Sequence, residues 1–125
     1  MKTMINEKNK DSWCVNAFHA ISGNNDGSTK LCCMYRNDYS MHNKKLGKES
    51  LLEHYNKNDF IEVRDALDIG VRHNNCSLCW QEEDAGRISK RQRDNEKYER
   101  RLQQGKAPYN GLAYLELNLG NTCNL

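Results

Sequence analysis

Cys76-Ser77-Leu78-Cys79-Trp80, followed by Gln81-Glu82-Glu83-Asp84-Ala85-Gly86, is the stretch on which the reading of this chain turns. Two cysteines three positions apart can both reach one metal if the backbone between them turns or begins a helix. Far upstream lie Cys14 and the adjacent Cys32 and Cys33. Five of the six cysteines therefore form two groups that a fold can bring together, and the sixth, Cys123, stands apart.

The surrounding composition makes a staple valuable. Of 125 residues only 37% are apolar, and the mean hydropathy of −0.99 is low for a globular domain. Small polar domains of this kind usually depend on a metal, disulfides or a partner. The opening residues 1–10 are rich in Lys and Asn rather than basic-then-apolar, and no run nears the roughly 18 apolar residues of a membrane span. The expectation is a cytoplasmic protein without a membrane contact, where thiols stay reduced and a Cys-x-x-Cys spacing reads as metal binding rather than disulfide. A net charge of +2 does not call for nucleic acid. The basic run 87–101 is interrupted by Asp94, Glu96 and Glu99, the pattern of a solvated helix face.

Read outward from the cysteines, the chain is α+β: a small hairpin plus helices around a metal site. Residues 1–11 are expected to be a disordered lead-in. Aromatic and β-forming residues at 13–19 precede Asn24-Asn25-Asp26-Gly27, a hairpin turn signal, and 28–35 return as a strand. Such a hairpin brings Cys14 and Cys32 to the same end. Residues 36–48 read as an irregular loop. Ser50 starts a short helix to Tyr55, and Asn58 or Asp59 caps a second with Phe60, Val63, Ala66, Leu67 and Ile69 on one face, stopped by Gly70. Glu82, Glu83 and Asp84 read as the acidic first turn of a helix. A longer helix runs from about Ser89 to Gln104, and 112–119 alternates as a strand.

Cys14, Cys32, Cys76 and Cys79 suffice for a tetrahedral zinc site or a cubane cluster. Short spacings in both halves favour zinc, whereas Cys14 and Cys32 are far apart, which leans toward a cluster. Cys33 could replace Cys32 as ligand, although on a strand it faces the other way. Trp80 is placed to shield the site. His19, His42, His54 and His73 have no spacing that makes a joint site, and His73 reads as a loop residue.

The pattern Cys14, twelve residues, Gly27, four residues, Cys32, a long gap and Cys76-x-x-Cys79-Trp80, with Glu83, Gly86, Ser89 and Arg91 behind it, resembles the twitch domain of radical S-adenosylmethionine enzymes, the shortened relative of the SPASM domain. The resemblance covers about residues 13–91. It implies that Cys14, Cys32, Cys76 and Cys79 ligate one auxiliary 4Fe–4S cluster, and that Arg91 bridges the domain to a catalytic core. The full SPASM pattern has a further cysteine where this chain has Ala85, so one auxiliary cluster is expected, not two.

The segment 114–125, ending Gly120-Asn121-Thr122-Cys123-Asn124-Leu125, looks like the first strand and loop of a radical S-adenosylmethionine core, with Cys123 as the first cysteine of its Cys-x-x-x-Cys-x-x-Cys motif. On that resemblance the chain divides into a lead-in (1–11), an auxiliary-cluster domain (12–105) and a linker with the first strand of a truncated α/β barrel (106–125). It would be a fragment, not catalytic alone. Its implied partners are the missing core in cis and a peptide or small-molecule substrate; its implied cofactors are the auxiliary cluster and, in the longer enzyme, a second 4Fe–4S cluster with S-adenosylmethionine. The alternatives are a zinc-stabilised interaction module without catalysis and a metal-free binder of nucleic acid or protein using the basic helix.

Overall fold

In the computed structural model, which describes residues 4–23, 29–32 and 51–117, Trp13 enters the core and the chain makes a short helix, α1 (Val15–His19). It then extends as strand β1 (Ala20–Gly23), with every residue of both elements buried. Strand β2 (Thr29–Lys30) runs antiparallel to β1, pairing Ser22 with Lys30 and Gly23 with Thr29. The expected hairpin is therefore present, and its Asp26-Gly27 turn lies outside the described residues. Its first strand is shorter than expected. Carried on, the register sets position 32 opposite Ala20 rather than Cys14.

Strand β3 (Tyr114–Leu117) lies parallel to β1, from Ala20 against Tyr114 to Gly23 against Leu117, giving the order β2-β1-β3. Parallel neighbours need a long crossover, which the intervening helices supply. The strand expected to open a separate barrel is thus the third strand of this sheet. At coarse level the chain is a mixed α+β protein with a small three-stranded sheet.

Helices α2 (Leu51–Tyr55) and α3 (Asn58–Asp68) follow. Phe60, Val63 and Leu67 on one face of α3 are fully buried, as their three- and four-residue spacing requires. Ile69 is exposed, and Lys57, without a side-chain cap, replaces Asn58 or Asp59 as N-cap. Gly70 ends the helix at φ +95°, where an added Cβ would also come within 2.7 Å of the Lys8 carbonyl oxygen, so two constraints require glycine there. A 3-10 turn (Asn74–Cys76) leads into α4 (Ser77–Asp84). The last helix, α5 (Lys90–Gln103), opens on a capping box. The Ser89 hydroxyl accepts from the Gln92 N–H at 3.1 Å, and the Ser89 N–H donates to Gln92 Oε1 at 3.0 Å.

Residues 4–12, expected to be without structure, form turns that dock on α3. Asn9 is fully buried; its Nδ2 donates to the Met4 and Asp68 carbonyls, both at 3.1 Å. Ser12 Oγ donates to the Leu67 carbonyl at 2.7 Å. A polar segment is ordered here because its buried side-chain amide and hydroxyl donate to carbonyls at the end of α3. The core gathers Trp13, Phe18, Ile21, Leu31, Phe60, Val63, Leu67 and Trp80 with Cys14 and Cys79. Trp13 stacks on Phe18 at 5.4 Å and on Tyr98 at 6.2 Å, and Tyr98 stacks on Tyr109 at 4.9 Å.

Candidate metal centre

The fold places Cys14 and Cys79 inside the core cluster, with Cys32 and Cys76 packed against it. All four are thiols rather than disulfides. Cys14 is the N-cap of α1, in extended backbone and without a side-chain cap hydrogen bond; the nearby N–H groups of Asn16 and Ala17 favour its thiolate. Cys76 is the N-cap of α4, and Cys79 lies one turn into that helix. The Arg91 N–H, in the first turn of α5, lies near the Cys79 sulfur and favours its thiolate. Cys14 and Cys79 thus lie near N–H groups of helical first turns, where partial positive charge favours an anion.

Burial acts against ionisation. Desolvation pushes the Cys14 thiol up to about 11, opposed by the Ala17 and Asn16 N–H groups and by Arg91. Cys76 is raised further, by desolvation and then by the charges of Cys14 and Cys79. Cys79 is raised by burial, against the nearby Arg91 N–H. Cys14, Cys76 and Cys79 are thus close enough to feel one another's charge.

Among the described residues, no three or more His, Cys, Asp or Glu side chains are arranged closely enough to hold a metal ion. The donor types nevertheless suit one: Cys14 and Cys79 lie in the core cluster, Cys32 and Cys76 pack against it, and the Arg91 guanidinium favours the thiolates of Cys14, Cys76 and Cys79. The cost of ionising these thiols is the cost that a bound metal offsets. Cys33, His42 and Cys123 lie outside the described residues.

Behind the thiols stands a polar frame that the sequence did not announce. Arg91 and Glu83, whose side chains are 4% and 5% exposed, form a bidentate pair at 2.7 and 2.8 Å. Arg91 also donates to the Trp13 carbonyl at 2.8 Å and the Lys10 carbonyl at 3.2 Å, and Ser89 Oγ donates to Glu83 at 2.6 Å. Arg91 is therefore an internal clamp, not the outward bridge implied by the resemblance. The acidic run 82–84 is the last turn of α4 rather than a first turn. Its unfavourable placement against the helix dipole is offset by Arg91 and by Arg72, which bonds Asp84 at 2.7 Å. Asn95 adds a second clip, accepting from the Val15 N–H and donating to the Trp13 carbonyl, both at 2.8 Å.

Trp80 lies beside Cys79 in the core, its Nε1 donating to the His73 carbonyl at 2.6 Å with Arg91 and Arg72 over its ring. His73 accepts from the Asn75 N–H at 3.1 Å. His19 is buried, not joined to the thiols; its Nδ1–H donates to the Gly111 carbonyl at 2.8 Å, and desolvation lowers its pKa. His54, fully buried, pairs with Thr29 at 2.7 Å.

Comparison of the chain with protein-family models, with curated proteins and with solved structures finds no match. Among the described residues no helix is long and apolar enough to cross a membrane.

Proposed function

We propose that this chain carries the auxiliary-cluster domain of a radical S-adenosylmethionine enzyme, with Cys14, Cys32, Cys76 and Cys79 as ligands of one 4Fe–4S cluster. The observation that supports it most is the placement of Cys14, Cys76 and Cys79 within charge reach of one another at a margin of the core, with Cys32 packed on the same cluster. Those are the four positions that the sequence pattern picks out. When bound, such a cluster supplies one-electron chemistry or a point of attachment for substrate.

The chain's own residues prepare the place. Asn16, Ala17 and Arg91 place N–H groups near sulfur, and the Arg91 guanidinium favours the thiolate state of three cysteines. Hydrogen bonds to sulfur and local charge set a cluster's potential. Trp80 limits water on one side. On the same reading Cys123 is the first ligand of the radical-generating cluster, in a core acting on a peptide or small molecule.

The test is anaerobic reconstitution of the full chain with iron and sulfide, read by absorbance in the broad cluster band and by metal analysis. Four iron and four sulfide per chain, lost on replacing Cys76 or Cys79 by Ser and retained on replacing Cys123, support the reading. A colourless protein with one zinc per chain that survives the same treatment overturns it in favour of a zinc-stabilised module.

A further inference from the structure

A second concavity flanks α1, with Val15 and Asn16 in its lining and no cysteine. Between the outer face of α5 and the segment 106–116 lies a cleft of about 590 Å3, within the range of small-molecule pockets. At one end stand Lys97 and Arg101, one turn apart on α5, and Lys106 just beyond it. None of these three cations is in an ion pair with a carboxylate among the described residues, whereas Lys90 and Arg100, on the same helix, both are. Arg101 is held with its guanidinium 4.8 Å from the centre of the Tyr109 ring, and its buried Nε has no acceptor. At the other end Glu116 receives Lys90 at 2.9 Å through Oε2, while its Oε1 is buried with no donor. Tyr109 and Tyr114, 5.6 Å apart, form the wall between.

Unpaired cations converging on a concavity repel one another, and a buried N–H without an acceptor is costly, so both conditions favour an anion. The unmatched Glu116 oxygen asks for a donor at the far end. From Lys90, which holds Glu116, to Lys97 is seven residues, about 10 Å along the helix. We propose that this cleft binds a phosphorylated small molecule of nucleoside monophosphate type. Its phosphate meets Lys97, Arg101 and Lys106, its planar ring lies against Tyr114, and a hydroxyl or amino group donates to Glu116.

The experiment is isothermal titration calorimetry on the full chain with AMP, adenosine, inorganic phosphate and a 5′-phosphorylated oligonucleotide as probes. AMP is expected to bind, phosphate alone more weakly, and adenosine not measurably. Lys97→Gln and Arg101→Gln should each weaken AMP by about tenfold, the scale of one lost charge-assisted hydrogen bond. Glu116→Gln should weaken AMP while leaving phosphate unchanged. Circular dichroism of each variant shows that α5 is retained, and Lys106→Gln, outside the helix, repeats the test should either α5 variant fail to fold. No heat with millimolar AMP, AMP binding indifferent to Lys97, Arg101 and Lys106, or an oligonucleotide bound far more tightly than AMP would each overturn the small-molecule site.

Discussion

Replacing Arg91 by Met is the sharpest probe of how this polar chain holds its shape. The substitution keeps the stem of the side chain and the α5 backbone, including the N–H near Cys79. It leaves the Glu83 carboxylate, 5% exposed, with only Ser89 at 2.6 Å and a long 3.4 Å contact to Arg72. Breaking one side of a buried pair costs about 3–5 kcal/mol. The Lys10 and Trp13 carbonyls also lose a donor, although Trp13 keeps Asn95. Against the total of about 5–15 kcal/mol usual for a domain, such a loss is about a fifth of the stability or more. The measurement is a urea transition of the metal-free protein under reductant, followed by fluorescence of Trp13 and Trp80. Glu83→Leu combined with Arg91→Met should recover much of the loss, because no unpaired charge is then buried, with a coupling energy above about 1.5 kcal/mol. A single-variant cost below about 1 kcal/mol, or no coupling, would refute the buried clamp.

Three further outcomes are expected. Asn95→Ala should cost about 2–3 kcal/mol in the same urea assay, since the buried Val15 N–H loses its acceptor and the Trp13 carbonyl one of its two side-chain donors. Gly70→Ala should destabilise by more than the roughly 1 kcal/mol expected for Gly105→Ala. Both sit at positive φ, +95° and +80°, but only position 70 drives a Cβ to 2.7 Å from a carbonyl oxygen, while position 105 is open. The metal-free protein should also lose stability as pH rises from about 9 to about 11. There the unfolded Cys14 thiol ionises near its usual 9.0 while the folded one, desolvated, holds its proton to about 11. The unfolded state then binds fewer protons, and two units correspond to about 2.7 kcal/mol, present below pH 9 and gone above 11. A urea midpoint unchanged between pH 8 and pH 11 would contradict this.

What the residues disclosed in advance follows from how local each signal is. Asp26-Gly27 announced the hairpin because a turn's chemistry is carried by two or three positions. Phe60, Val63 and Leu67 announced the α3 face, and Gly105 the end of α5, for the same reason. Helix α1 went unread because five residues, all buried, leave no polar face to set a period. The acidic run 82–84 was assigned to a helix start by the dipole rule, which Arg91 and Arg72 overrule through ion pairs that are distant in sequence from part of that run. Alternation in 112–119 marked a strand but carried no information about its neighbour, so its pairing with β1 was invisible. The basic run 87–101, interrupted by Asp94, Glu96 and Glu99, was read as a solvated helix face. Two of its members instead tie α5 to the rest: Asp94 accepts from Asn16 at 2.8 Å and from Lys90 at 2.7 Å, and Lys90 reaches Glu116.

The polar clips share a destination, the segment that carries Cys14. Asn95 grips the backbone at Trp13 and Val15, Arg91 grips it at Lys10 and Trp13, Arg64 donates to the Ala17 carbonyl at 2.6 Å, and Ser12 reaches Leu67. The segment that carries Cys14 is therefore fixed by α3 and α5 without help from a ligand. Cys79 is held likewise, inside a helix and against the Arg91 N–H. Cys32 and Cys76 are less buried than Cys14 and Cys79; Cys76 sits at the junction of a 3-10 turn and a helix, and Cys32 just past a two-residue strand. In the metal-bound form proposed above, Cys14 and Cys79 would be the fixed pair and Cys32 and Cys76 the pair that moves inward. Metal would then close a frame that already exists rather than fold an unformed chain, and its removal would loosen the Cys32 and Cys76 segments before it unfolded the core.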